Sequence, residues 1–437
     1  MNSLINNYAQ IITISLLFSP GLRSVYYLYY PLLISSLIFS IPNILSTFKT
    51  VIQSKISFLI IVFNLIVGFG LIQNFNELEI SQIILSYSRL LLSIIFVLLV
   101  SGCSNKFNST KVAKYYLLVC FIASAFIYIQ YITGPIDIFS EEASTRAGLP
   151  RYSTLSGSTN MFSISVAFSI LISTFIRKKT KIFQIEGVLL NYQLFILGAA
   201  IANISRSGLL ASIGVFLFSR IYLIFDRLNI NLFNKPFKIQ TKFKGLSTKI
   251  KSIYFFTFFG LSILIIKISG SLIRYTKTIV FFISGNKSLI SQYSDATFES
   301  TPVLSDFINR LTFFVDPELP RNLIYEPWIL IFGDGSKHFG GTIGLDRGYA
   351  HNMFLDIFLA QGLLGISFFL FILIILFLNS FNSKINIIKY SYNIISFSIM
   401  TLFLFFCTHN SGIVFHPLSI FPLLFLQDFL KTHKITE

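Results

Sequence analysis

Apolar runs of roughly 18 residues or more, interrupted by short polar segments, recur along the whole chain, and runs of that length suit a helix crossing a bilayer. The pattern predicts spans near 8–20, 27–45, 57–73, 83–102, 115–133, 157–176, 184–204, 207–225, 253–270, 352–379, 392–409 and 413–430. The expected fold is all-α: a polytopic membrane protein of about twelve transmembrane helices, one integral membrane domain over residues 1–437. One connection stands apart. Residues 271–350 form a loop of about eighty residues that holds the only tryptophan, Trp328, and the Gly-rich stretch "FGDGSKHFGGTIG". A loop of that size and mixed polarity carries function more often than it merely connects, and short helices are expected within it.

Charge orients the spans. Charged residues make up only 12% of the 437, about half the share of a soluble domain, so the net charge of +16 does not by itself point to nucleic acid. The Lys and Arg residues instead fill short segments between apolar runs, as the positive-inside rule requires. "RKKTK" (177–181) and the stretch 226–251 are strongly basic and are expected in the cytoplasm. Lys49 and Lys55, Lys106, Lys111 and Lys114, Lys384 and Lys389, and the tail "KTHK" fall on the same side, with both termini. "NELE" (76–79), "SEEAS" (140–144) and the turn "NISRSG" fall outside. The start "MNSLINNYAQ" has no basic segment of the signal-peptide kind, so cleavage is not expected. Cys103, Cys120 and Cys407 are scattered, which excludes a disulfide framework and a zinc-type spacing.

Chemistry is expected on the external face, where arginines converge from distant segments: Arg146 and Arg151 in "STRAGLPRYS", Arg206 in "SRSG", Arg310 in "FINRLTFF" and Arg347 in "DRGYAHN". Arginine at a membrane surface also serves to anchor a helix end. Arg206 is different, because it occupies a very short turn between two spans beside Ser205, Ser207 and Gly208. Small neighbours let an anionic group reach both backbone and guanidinium. His351 and Asn352 stand where the run 352–379 begins. Asn352 is able to cap that helix itself, which leaves His351 open to act as a general base or as an interfacial anchor. His338, His409, His416 and His433 have weaker contexts. Walker-type phosphate loops, HExxH, GxSxG and a paired DxD are all absent, and the cytoplasmic side has no domain large enough for a nucleotide. A donor must therefore arrive from the membrane or from outside.

The ordered set "SRSGLLASIGVF" (205–216), "NRLTFF", "FGDG" (332–335) and "HNMFLDIFLAQGLLG" (351–365) resembles the O-antigen ligase and O-antigen polymerase family, over roughly residues 190–375. The resemblance implies a bacterial inner-membrane glycosyltransferase with its active site on the periplasmic or external face. The donor would be a polyprenyl-diphosphate-linked glycan, and the acceptor a second glycan or lipid A core. No metal or cofactor is implied. By the same resemblance the family arginines map onto Arg206 and Arg310 and its histidine onto His351, so that the arginines would clamp the diphosphate and His351 would be the general base; from their placement on the external face Arg146, Arg151, Arg347, Asn352, Ser205 and Ser207 are expected to line the substrate site. Two features depart from the family pattern. Phe314 stands where a tryptophan usually follows the loop arginine, and Arg347 competes with Arg310 for the clamp role. The other classes weighed are a lipid-linked oligosaccharide flippase and a purely structural membrane protein. In a flippase, charged groups should line the middle of several spans, where Arg89 is the main candidate and lies near a span's outer end.

Overall fold

The computed structural model describes residues 2–53, 55–73, 80–106, 109–139, 144–146, 149–177, 181–203, 205–227, 328–333, 353–381, 398–407 and 416–432. Over these residues the protein is all-α apart from one small hairpin. In chain order the elements are α1 (Asn2–Leu17), a 3-10 turn (Pro20–Ser24), α2 (Tyr26–Gln53), α3 (Lys55–Gln73), α4 (Ile80–Lys106) and α5 (Ser109–Thr133). The hairpin of β1 (Ser144–Arg146) and β2 (Leu149–Arg151) follows, then α6 (Thr159–Ile176), α7 (Lys181–Gln184), α8 (Glu186–Ala202) and α9 (Arg206–Arg227). The remaining elements are α10 (Trp328–Phe332), α11 (Met353–Phe381), α12 (Ser398–Cys407) and α13 (Pro417–Thr432). Every span expected from the sequence overlaps a helix except 253–270, which lies outside the described residues, as do most of the 271–350 loop, 392–397, 408–409 and 413–415.

The helix α6 is the centre of the bundle. Its residues from Phe162 to Ile176 are all buried, and it packs against α5, α8, α9 and α13. A helix apolar on every side belongs in a core or a membrane. Its small hydroxyl residues Ser165, Ser169 and Ser173 recur at intervals of one helical turn, and such residues let neighbouring helices approach closely. The closest approach is to α9. A Cβ on Gly208 would overlap the side chain of Ser163, so the contact exists only because residue 208 is glycine. Tyrosine hydroxyls tie other pairs together through spare backbone carbonyl lone pairs. Tyr116 on α5 donates to Leu418 O of α13 at 2.9 Å, Tyr128 to Phe195 O of α8 at 2.9 Å, and Tyr192 on α8 to Leu117 O at 3.0 Å. Phe18, Phe96, Tyr116 and Phe421 meet edge-on where α1, α4, α5 and α13 converge.

Within these helices two stretches, Thr110–Thr133 and Thr159–Ile176, are long and apolar enough to cross a membrane. Cys120 and Cys407 are free and buried. Several boundaries differ from the sequence pattern: α1 starts at Asn2, α2 runs on to Gln53 and α5 starts at Ser109. The apolar run 352–379 is not one straight helix: α11 kinks at Gly362, whose φ is 62° and ψ −157°. The last helix, α13, begins at Pro417, since proline fits the first turn of a helix and His416 stands just before it; residues 411–415 lie outside the described residues.

Candidate functional site

One end of the bundle gathers the hairpin, the turn between α8 and α9, the 3-10 turn after α1 and the start of α13. Asn203 fastens the α8–α9 turn to the hairpin strand. Its side-chain oxygen accepts from the Tyr152 N–H at 2.8 Å, and its amide donates to the Tyr152 carbonyl at 3.0 Å. A primary amide matches a backbone peptide in this two-way fashion, which satisfies both groups of a buried residue at once. Tyr131, near the end of α5, brings its hydroxyl to the carbonyls of Pro150 at 2.8 Å and Ala202 at 2.5 Å, bridging hairpin and α8. Gln130, next to it, donates to Ser153 O at 3.0 Å and accepts from Ile136 N at 3.2 Å. The loop after the hairpin is itself held from α1's side, where the Gly21 N–H donates to Leu155 O at 2.8 Å.

Within this frame two residues named from the sequence, Arg151 and Ser205, come together on a third, Asn160. Arg151 closes β2 opposite Ser144, and its guanidinium donates to Thr159 Oγ1 and, at 3.2 Å, to Asn160 Oδ1 in the first turn of α6. Ser205 is buried and donates from Oγ to the same Asn160 Oδ1 at 3.2 Å. Its carbonyl accepts from Leu209 N at 2.7 Å, which starts α9. Asn160 is thereby the joint between the arginine hairpin and the "SRSG" turn. Burial lowers the pKa of Arg151, opposed by Tyr131 beside it, and a guanidinium stays cationic under such shifts.

Arg206 is the first residue of α9 and Ser207 the second. A cation at a helix N-terminus opposes the helix dipole, and its charge adds to that of the exposed first N–H groups. By position, Arg206 starts α9 directly after Ser205, the residue that shares Asn160 with Arg151. Arg146 closes β1 and pairs with Leu149 across the hairpin. The small residues of "SRSG" do internal work as well. Gly208 seats α9 on Ser163, and Ser205 spends its hydroxyl on Asn160. Arg310, Arg347, His351 and Asn352 lie outside the described residues, as do His338, His409 and His433.

Two of the sequence motifs meet in the fold. Gly333 of "FGDG" has φ 77° and runs against the backbone of Ala360 and Gln361, while Gly362 of "QGLLG" abuts Ile331 and the Gly333 amide. The α10 segment thus docks by backbone into the kink of α11, which starts directly after the His351–Asn352 pair. Gln361 at that kink is 4% exposed, and among the described residues neither its side-chain nitrogen nor its oxygen has a hydrogen-bond partner.

Asn160, Asn203, Gln130 and Tyr131 were not singled out by sequence reasoning. The legible signal was polar residues crowding the ends of apolar runs, in "YIQYITG", "GSTNMF" and "AIANIS", where a purely lipid-facing helix end would not need them. Comparison with known protein families, characterised proteins and solved structures finds no match to this chain.

Proposed function

We propose that the protein is a bacterial inner-membrane glycosyltransferase of the O-antigen ligase or polymerase kind. It takes a glycan from polyprenyl diphosphate and joins it to an acceptor hydroxyl on a second glycan or on lipid A core. The observation that carries the reading is the Asn160 joint, which sets the Arg146–Arg151 hairpin against the Arg206 start of α9 at one end of the bundle. Guanidinium groups are suited to diphosphate oxygens, and a donor anchored by its lipid tail would present its head at such an end.

In this reading the chain spans the membrane about twelve times with both termini in the cytoplasm. The bundle supports it in two ways. The helices expose continuous apolar faces, as on α2 with Leu28, Leu32, Ile34, Ile38 and Phe39 and on α11 with Leu363, Leu364, Leu370 and Phe371. In addition, α6 and α9 both start at the arginine end and finish at Arg177 and Arg227, next to the basic segments assigned to the cytoplasm.

The acceptor oxygen attacks the anomeric carbon of the donor. The carbon–oxygen bond to phosphate breaks and polyprenyl diphosphate leaves with the bonding electron pair. His351 takes the acceptor's proton. Arg206 and Arg310 stabilise the charge that grows on the leaving diphosphate, so the reaction draws its positive charge from guanidinium groups.

A transporter of lipid-linked glycans is the second reading. It is favoured by a buried polar network inside the bundle. There Arg220 on α9 donates to Gln193 Oε1 on α8, and Gln193 reaches Ser173 and Thr174 of α6 at 3.0 Å. Purified protein in nanodiscs with a defined polyprenyl-diphosphate glycan separates the two. Longer lipid-linked chains mean polymerase and glycan on core lipid means ligase, with His351→Ala and Arg206→Ala each abolishing transfer in protein that still inserts. Wild-type transfer by His351→Ala would remove the general-base role, and translocation without any new glycosidic bond would sink the transferase reading.

A further inference from the structure

The helix α11 doubles back at Gly362. A straight helix would hold positions 354 and 369 about 22 Å apart along its axis, yet the Phe354 and Phe369 rings lie 5.6 Å apart, centroid to centroid. Likewise a Cβ on Gly365 would come to 3.4 Å from Ile357 Cγ2, against about 12 Å for those positions on a straight helix. The limb 353–361 therefore folds back toward the start of the limb 363–381, and the turn between them is the positive-φ residue Gly362. Where a helix breaks, the last carbonyls of one limb and the first N–H groups of the next lose their intrahelical partners. In a membrane-spanning bundle such backbone persists only where protein buries it or a polar cavity borders it.

Gln361 stands at this break. It is buried, and among the described residues neither Nε2 nor Oε1 has a hydrogen-bond partner. Its place is built. A Cβ on Gly365 would overlap Gln361 Cβ and fall 2.8 Å from Oε1, so the side chain lies over the first turn of the limb 363–381, in space that only glycine leaves. The backbone beneath is fixed too, because Gly333 runs against Gln361 N and Ala360 with no room for a side chain. The amide itself defines the partner it lacks. One end donates and the other accepts, so a phosphate would satisfy Nε2 and oppose Oε1, and an ammonium would do the reverse. A hydroxyl, or two on neighbouring carbons, serves both ends. From Ile357 to Phe381 and throughout α10 the sequence has no charged residue, which also suits a neutral group. Access is at hand, since Leu363 and Leu364 beside the break are exposed. The α10 segment packed on it keeps Leu330, Ile331 and Phe332 about half exposed, so little apolar burial holds it down.

We propose that Gln361 and the backbone groups freed at the α11 break form a subsite for the hydroxyls of a sugar ring, with α10 yielding to admit it. Assigning that sugar to the lipid-linked glycan rests on the proposed function; the hydroxyl chemistry of the subsite does not.

The test uses the purified full chain in detergent without acceptor. The probes are farnesyl diphosphate and its esters with glucose, galactose and N-acetylglucosamine, and calorimetry measures each affinity. At least one sugar ester is expected to bind tenfold or more tightly than farnesyl diphosphate, and Gln361→Met to remove that advantage while leaving farnesyl diphosphate binding unchanged. Equal affinity of the unsubstituted protein for every probe means that water serves the amide and overturns the subsite. A methionine variant that keeps the sugar's advantage overturns it as well. Should the variant fail to fold, hydrogen exchange of the unsubstituted protein decides: slower exchange over 328–333 and 357–366 with the sugar ester than with farnesyl diphosphate supports the subsite, and identical exchange overturns it. Failure of the subsite in protein that still transfers glycan leaves the proposed function standing. A sugar advantage lost in Gln361→Met, in protein that forms no glycosidic bond when an acceptor is supplied, keeps the subsite and strikes the proposed function alone.

Discussion

Arg151 and Ser205, fifty-four positions apart in the chain (205 − 151), donate to one acceptor, the side-chain oxygen of Asn160. A strand end and a helix start are thereby registered to the first turn of α6, the most buried helix of the bundle. Positioning a charge by its attachment to a rigid element is how a site keeps its geometry while its ligands come and go.

Asn160→Leu should therefore loosen the hairpin and the "SRSG" turn together. Each loses a hydrogen bond, one of them charge-assisted, and the expected cost is about 1–3 kcal/mol of stability. Transfer should fall at least about tenfold, since a loss of about 1.4 kcal/mol in the transition state is enough for that. Asn160→Asp keeps an acceptor beside Arg151 and should retain most of the stability. Thermal unfolding in detergent and initial transfer rates measure both, and a leucine variant with wild-type unfolding would dismiss the joint.

Asn203 offers a sharper substitution, because both halves of its amide are used on Tyr152. Asn203→Asp keeps the acceptor but turns a carboxylate oxygen toward the Tyr152 carbonyl. It should destabilise about as much as Asn203→Ala, on the order of 1–3 kcal/mol. The new carboxyl has its proton-bound form favoured in the fold, so its folded pKa is raised and the unfolded chain releases the proton first. The variant should hence regain stability as pH falls below about 5 and lose it as pH rises. Unfolding temperature against pH reads this, and a flat difference from wild type across that range would contradict the two-way bond.

The helices were legible because the apolar runs alone mark them, and the observed boundaries fall within a few residues of the expected ones at α6, α8 and α9. The kink at Gly362 was not, because nothing along "AQGLLG" marks that Gly333, well upstream in the chain, packs its backbone against it where the φ turns positive. Of the site, the basic turn at Arg206 and the hairpin arginines could be read from charge placed against apolarity. Their joining could not. It runs through asparagines and a tyrosine whose value lies in a partner tens of residues away, and spacing along the chain carries no trace of that.

Gln361 is a buried amide with no partner at either atom among the described residues. Leaving such groups unpaired costs about 1–3 kcal/mol, so Gln361→Met, similar in length and free of polar hydrogens, should raise the unfolding temperature. A lowered temperature in the same scan would show that the amide is satisfied in the working protein and would remove the argument.

Gly208 and Gly214 lie on one helix and should respond to alanine with opposite signs. A Cβ at 214 meets nothing within 4 Å, so Gly214→Ala gains helix propensity alone and should stabilise by about 0.5–1 kcal/mol. At 208 the same methyl overlaps Ser163 and comes to 3.2 Å from Ser205 Oγ. Gly208→Ala should therefore cost about 1–3 kcal/mol through overpacking and also disturb the Ser205 bond to Asn160, lowering transfer. Ser163→Gly in the Gly208→Ala background opens the space again and should recover most of the stability, a coupling that a double-mutant cycle isolates. Equal effects of alanine at the two positions, or additive behaviour of the 163 and 208 changes, would mean that α6 and α9 do not meet as closely as this contact requires.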